Sequence, residues 1–191
     1  DEIHNDLVMP NYKHIPMALA APEVEDRLIM MTSTTKTFNL AGMHTGNVII
    51  PNETLREKFN KTMVSYGISP NSFGKHMVAA AYCQEGADWV DALMIYIAEN
   101  QRIFNSSINS IPGVNSMELE GTYLCWVDFS NTGMQNQEVL NRVEKVAQIA
   151  INRGATFGTG GETFLRFNVA TQRALIFDAL KRLKKAFADL Q

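Results

Sequence analysis

The 191-residue sequence holds only two cysteines, Cys83 and Cys125, and no apolar run long enough to span a bilayer. The cysteines lie far apart in unlike local sequence, which excludes a disulfide framework and a CxxC metal or redox motif and fits a reducing compartment. Basic charge is sparse as well: 17 lysines and arginines stand against 20 acids, for a formal net charge of -3. The one basic block, Lys181-Arg182-Leu183-Lys184-Lys185, falls in a helical pattern and reads as its solvated face. Nucleic acid is therefore not an expected partner, and with no signal peptide or membrane segment the protein is expected in the cytoplasm. Internal repeats and low-complexity tracts are absent, and the Asp-x-x-His pair of Asp1 and His4 has no further ligands clustered nearby, so no metal is expected. An initiator Met is missing too; the chain opens at Asp1 directly into dense motif-like sequence, and is expected to be the later part of a longer protein.

What is present is a core: 46% of the residues are apolar, enough for one domain or parts of two. Leu28-Ile29-Met30-Met31 and Gly46-Asn47-Val48-Ile49-Ile50 predict two short strands, the second ended by Pro51. Asn52 then caps a helix carrying Leu55, Phe59 and Met63, which Gly67 ends. A second helix is expected from Ser69 to about Gln84. Gly86 is expected to separate it from a long helix through Trp89, Leu93, Tyr96, Ile97, Ile103 and Phe104 that links two lobes. This order suggests an α/β front part. Beyond the Pro112-Gly113 turn, residues 120–129 predict a strand. A helix bearing Val139, Leu140, Val143, Val146 and Ala150 follows and stops at Gly154; residues 164–169 form a further strand, and Thr171 caps a last helix with the stripe Ile176, Leu180, Leu183 and Phe187. These make a compact α+β lobe. Phe157-Gly158-Thr159-Gly160-Gly161 leads into a strand and not a helix, so it reads as a bend and not as a phosphate loop. Tyr123 and Trp126 read as packing residues, and Met30, Met31 and Met94 as core gap-fillers.

The run Ser33-Thr34-Thr35-Lys36-Thr37-Phe38-Asn39-Leu40-Ala41-Gly42 places one lysine after three hydroxyl residues and before an apolar stretch. Such a setting disfavours the ammonium form and frees the amine to attack a carbonyl, while the hydroxyls can hold a phosphate. An ordinary surface lysine at a strand-to-loop junction has the same local sequence. Asp1 reads equally as a solvated chain end, His4 as a loop histidine, and Arg166 as a strand-edge arginine in a surface salt bridge.

Taken in order, Asp1-Glu2-Ile3-His4-Asn5-Asp6-Leu7-Val8, His14-Ile15-Pro16, the Lys36 run, residues 121–129 and Arg166-Phe167-Asn168-Val169-Ala170 resemble the aminotransferase class I/II superfamily. Within these fold-type I enzymes, which use pyridoxal 5'-phosphate, they are most similar to the branch of cystalysin and the bacterial cystathionine β-lyases. The resemblance implies that residues 1–85 are the C-terminal part of the large cofactor-binding domain and residues 86–191 a linker helix and C-terminal small domain. It implies that Asp1 pairs with the cofactor's ring nitrogen, that His4 bonds its ring oxygen, and that Ser33 and Thr35 reach its phosphate. Lys36 is implied to bind the cofactor covalently and to act as the base at the substrate Cα, and Arg166 to bind the substrate carboxylate. Where many class I aminotransferases carry an arginine eight residues after the lysine, this chain has His44, a departure that fits the lyase branch. The implied activity is α,β-elimination of L-cysteine, cystathionine or a related amino acid to pyruvate, ammonia and a thiol, in a homodimer. An aminotransferase and a non-catalytic or regulatory protein of the same fold are the alternatives, and the chain by itself is expected to bind the cofactor poorly and to be catalytically weak.

Overall fold

In the computed structural model, which describes residues 1–190, the chain forms two units, one running from Asp1 to Met94 and one beginning at Ile95; the division falls inside a helix.

In the first unit, a single helical turn, Met17–Ala20 (α1), is followed by a 3-10 stretch, Pro22–Arg27. The strands Met30–Thr32 (β1) and Asn47–Ile49 (β2) pair antiparallel with Thr32 opposite Asn47. Each is a residue or two shorter than the apolar run that predicts it. The connection between them carries the one-turn helix Thr34–Thr37 (α2) and the 3-10 turn Ala41–Met43. Asn52 caps Glu53–Ser65 (α3) by accepting from the Leu55 N–H at 2.9 Å, and Gly67 at φ 63° takes the left-handed conformation that ends it. Asn71 caps Ser72–Ala81 (α4) in the same way, through the Phe73 N–H at 2.9 Å.

Gly86 does not separate the helices as the sequence suggests. The break falls at Tyr82 and Cys83, and Gly86 lies in the first turn of Gln84–Ile108 (α5). A Cβ at Gly86 would sit 1.9 Å from the Ala81 carbonyl oxygen, so the glycine lets the end of α4 pass close against α5. Met31 is 42% exposed and is not the core residue expected, whereas Met94 is buried.

The second unit is a four-stranded antiparallel sheet in the order β3-β4-β6-β5, formed by Asn115–Ser116 (β3), Leu124–Asp128 (β4), Asn152–Arg153 (β5) and Phe164–Asn168 (β6). The strand expected over 120–129 starts late because Thr122 sits at φ 63°. Asn136–Asn141 (α6) runs into one π turn, Arg142–Val146, and stops well before Gly154; Gln148 turns the chain at φ 54° so that β5 can pair with β6. Arg173–Ala186 (α7) starts at Gln172 without a side-chain cap, so Thr171 does not play that part. Its predicted stripe holds: Ile176, Leu180, Leu183 and Phe187 are all buried.

Alternation along the strands sends Cys125, Val127, Leu165 and Phe167 into the core, where Phe104 of α5 meets Phe167 at 5.4 Å between ring centres and Phe129 meets Phe187 at 5.7 Å. Fully buried Asn100 donates to the Val169 and Thr171 carbonyls at 3.0 and 2.9 Å and accepts from Arg173 Nε at 3.1 Å, which anchors the approach to α7. Leu124, Trp126 and Asp128 of β4 take the opposite face, together with Phe164 and Arg166 of β6. No helix among the described residues is long and apolar enough to cross a membrane.

Candidate active site

Lys36 lies in α2, and the turn is fixed at both ends. Ser33 Oγ accepts from the Thr35 N–H at 3.1 Å, capping the N-terminus, and donates its proton to the Thr45 carbonyl at 2.7 Å. With that proton committed, the 2.9 Å contact between the Ser33 and Thr35 hydroxyls is one in which Thr35 donates. At the other end Asn39 takes a left-handed φ of 55°, and the Leu40 N–H reaches back to the Thr35 carbonyl at 2.9 Å, a Schellman closure. Ser33, Thr34, Thr35 and Thr37 are buried, while Lys36 is half-buried between them. Its amine makes no hydrogen bond or ion pair among the described residues.

That amine borders a cavity of about 610 Å³, also lined by Asp1, Ser33, Thr35, His44 and Asn47, a volume in the range of small-molecule sites. Asp1 is exposed, and its Oδ1 accepts from the Ile3 N–H at 3.0 Å. The Glu2 N–H donates to the Met31 carbonyl at 2.7 Å, tying this first turn to β1. His44 holds a left-handed backbone, φ 45° and ψ 47°, at the end of the 3-10 turn; for a non-glycine residue that is an unfavourable conformation that tends to mark functional positions. Thus Asp1, Ser33, Thr35 and Lys36 share one cavity with His44, whereas His4, half-buried in the turn after Asp1, is not part of its lining.

Gly74 of α4 sets the far wall of this loop. A Cβ there would fall 1.8 Å from Thr45 Oγ1, so only glycine lets the helix approach the residue whose carbonyl holds Ser33. Nothing local in the sequence signals this approach, because the partners are a full helix apart.

Arg166 lies in the second unit, on β6, opposite Trp126 of β4 and Asn152 of β5. Its guanidinium carbon sits 4.5 Å from the Phe157 ring centre, and Nη2 donates to Asn152 Oδ1 at 3.1 Å. Nε is buried and has no hydrogen-bond partner, and no acid pairs with the side chain. The surface salt bridge that the residue type also suggests is therefore not formed among the described residues. Trp126 packs beside it, stacked on Phe164 at 5.2 Å and edge-on to Phe157 at 5.6 Å. Phe157 ends the 3-10 turn Gly154–Phe157, and the following glycines take φ 125° at Gly158 and φ 89° at Gly160. Gly154 and Gly161 close the base: a Cβ on Gly154 would lie 2.2 Å from the Gly161 carbonyl oxygen.

The Lys36 amine at the cavity wall and the Arg166 guanidinium on its aromatic shelf both keep donors without a hydrogen-bond partner among the described residues. Residues 1–183 match the family described as Aminotransferase class I and II. Cystathionine beta-lyase PatB of Bacillus subtilis is 33% identical over 190 residues, covering 98% of this chain and 49% of the relative. Protein MalY of Escherichia coli is 30% identical over 193 residues, all of this chain and 47% of that protein. Among solved structures, cystalysin from Treponema denticola, which contains a pyridoxal 5'-phosphate cofactor, superposes with a TM-score of 0.92 at 36% identity over all of this chain and 49% of its own. The PLP-bound C-S lyase from Staphylococcus hominis gives 0.87 at 29% identity, over 98% of this chain and 48% of its own. The chain spans about half the length of the relatives it matches. It belongs to the aminotransferase class I and II family, with the type I fold.

Proposed function

We propose that, within this family, the protein carrying this chain is a pyridoxal 5'-phosphate-dependent C–S lyase. Its reaction takes an S-substituted amino acid such as cystathionine, or L-cysteine itself, plus one water, to a thiol or sulfide, pyruvate and ammonia. The carrying observation is the Lys36 amine, unpartnered on a doubly capped turn at the wall of a cavity that also holds Asp1 and two hydroxyls. The donor set fits the cofactor: a primary amine for its aldehyde, hydroxyls for its phosphate, a carboxylate for its protonated ring nitrogen. Residues 1–85 are read as part of the cofactor domain, and residues 86–191 as linker helix and small domain.

In this reading Lys36 would hold the aldehyde carbon and Asp1 the ring nitrogen, with Ser33 and Thr35 at the phosphate; His4, outside the lining of this cavity, is assigned no contact to the ring oxygen. Of the two hydroxyls, Thr35 can redirect its proton without breaking the bond from Ser33 to the Thr45 carbonyl. When bound, the cofactor supplies an electron-withdrawing ring that stabilises negative charge at the substrate Cα. Arg166 receives the substrate carboxylate through its guanidinium, whose charge makes such a bond strong. Lys36 Nζ, free once the substrate amine has taken its place, would take the Cα proton, and the bond from Cβ to sulfur would break as the thiolate leaves. The names of the relatives, cystathionine beta-lyase and C-S lyase, support this class. A cytoplasmic homodimer is part of the proposal.

The test is the absorption spectrum of the chain with excess pyridoxal phosphate, beside Lys36→Ala, before and after borohydride. A band in the parent alone, fixed by borohydride onto Lys36, is expected; where parent and variant look alike, the test is repeated on a protein extended upstream of Asp1, and identical parent and variant there would overturn the reading. Pyruvate release from cystathionine without added keto acid then separates lyase from aminotransferase.

A further inference from the structure

We propose that Asp6 is a positioning residue for Lys36, setting the helical turn that carries the amine through the hydrogen bond it accepts from Thr37. The proposal rests on the reading of Lys36 as the reactive amine only for the chemistry it serves; the geometry stands independently of that reading.

Thr37 Oγ1 donates to Asp6 Oδ2 at 3.0 Å across 31 residues of sequence, and Thr37 is 2% exposed. The other carboxylate oxygen, Oδ1, accepts from Asn5 Nδ2 at 3.0 Å, so both acceptor atoms are engaged. α2 is a single turn, too short to hold its own orientation in isolation. Its Ser33 cap and Leu40 closure fix the path of the backbone, but both lie within residues 33–45. The bond from Thr37 is different in kind. It ties a residue of α2, the immediate neighbour of Lys36, to the segment that begins with Asp1.

A charged acceptor makes this a stronger link than a neutral one. A small rotation of one turn is amplified along the lysine side chain, and misplacement of a reacting group by about 1 Å is enough to cost roughly a hundredfold in rate. The surroundings carry the link further. Burial, and then the Asp6 charge, push the Tyr82 phenol above its ordinary range, while a hydrogen bond with the Thr32 side chain opposes them. Thr32 in turn accepts from Asn47 Nδ2 at 3.3 Å and directly precedes Ser33. Both ends of residues 32–37 therefore meet groups around Asp6. Phe38, the next residue, stacks on Trp89 at 5.5 Å and meets Tyr82 edge-on at 6.4 Å, closing the same side.

The experiment uses the chain without added cofactor, its lysines dimethylated with carbon-13 formaldehyde and the Lys36 resonance assigned by its loss in Lys36→Arg. Asp6→Ala and Thr37→Val are each expected to shift that resonance in the same direction. The double variant should shift it no further. Asp6→Asn, which keeps an acceptor oxygen but not the charge, should fall between the parent and Asp6→Ala. In parallel, unmethylated protein is incubated with pyridoxal phosphate and reduced with borohydride, and the fraction fixed on Lys36 should fall about tenfold in Asp6→Ala and Thr37→Val. Additive shifts, an unmoved resonance in Asp6→Ala, or an Asp6→Asn that behaves like Asp6→Ala would overturn the proposal. If the resonances couple as expected while the parent is not labelled even in a protein extended upstream of Asp1, the positioning role stands and the assignment of Lys36 to the cofactor fails.

Discussion

The Arg166 guanidinium lies over the Phe157 ring, 4.5 Å from its centre, with one edge bonded to Asn152 and Nε buried without a partner. Stack and side bond together hold the plane of the group. Replacing Phe157 by Leu keeps the apolar contact but removes the ring, whose attraction is worth about 0.5–1 kcal/mol at an exposed site. Acetate titrated into the chain, followed by the Arg166 Nε–H resonance, is expected to bind two- to fivefold more weakly in Phe157→Leu. Arg166→Lys is expected to abolish the response, and an unaltered affinity in Phe157→Leu would show that the ring is a bystander.

Gly74→Ala places a methyl 1.8 Å from Thr45 Oγ1. Overpacking of this kind costs about 1–3 kcal/mol, and the strain falls on the residue whose carbonyl holds Ser33. Urea unfolding should show that loss, and adding Thr45→Ala should recover part of it by removing the nearer clashing atom.

Glu2 gives the chain a defined acid sensitivity. The Met17 N–H at 2.7 Å from Oε1, and then His14 at 3.1 Å from Oε2, hold its carboxyl below the ordinary value of 4.5, against burial that acts the other way. A carboxyl with a lowered folded-state value contributes stability that is complete above 4.5 and is lost as the pH falls through the folded value. In Glu2→Gln that contribution is gone, so the stability gap between parent and variant should be widest near neutrality and narrow below 4.5. Denaturant midpoints measured across that range check the sign.

The two cysteines should behave as opposites. Cys125 is fully buried in the sheet core, and desolvation pushes its thiol up to about 12. Cys83 is exposed at the break between α4 and α5. Iodoacetamide on the folded chain should label Cys83 alone, with Cys125 appearing in peptide maps only after unfolding; rapid labelling of both would contradict the core described here.

Local chemistry was the legible part of the sequence. Asn52 and Gly67 bound α3 as the amide of one and the missing Cβ of the other dictate, and the spacing of Ile176, Leu180, Leu183 and Phe187 maps onto one buried face of α7. Ser33, Thr35 and Lys36 meet around one cavity because they are neighbours in sequence. The illegible parts depend on how the folded chain brings its groups together. Gly86 looks like a breaker until the Ala81 carbonyl is seen beside it, Asp6 meets Thr37 only in three dimensions, and the left-handed turn at Gln148 cuts short a helical pattern that continues to Ala150. The empty Nε edge of Arg166 depends on which neighbours arrive, and residue types alone do not show that.

Gly154 and Gly161 touch so closely that the peptide between them leaves the sheet and returns to it at almost the same point. Residues 155–160 are thereby a cassette with fixed ends: their length and side chains can drift while β5 and β6 keep register. Within the cassette, Phe157 reaches Arg166. Selection, or a designed library confined to those six positions, can retune what the guanidinium accepts without renegotiating the fold.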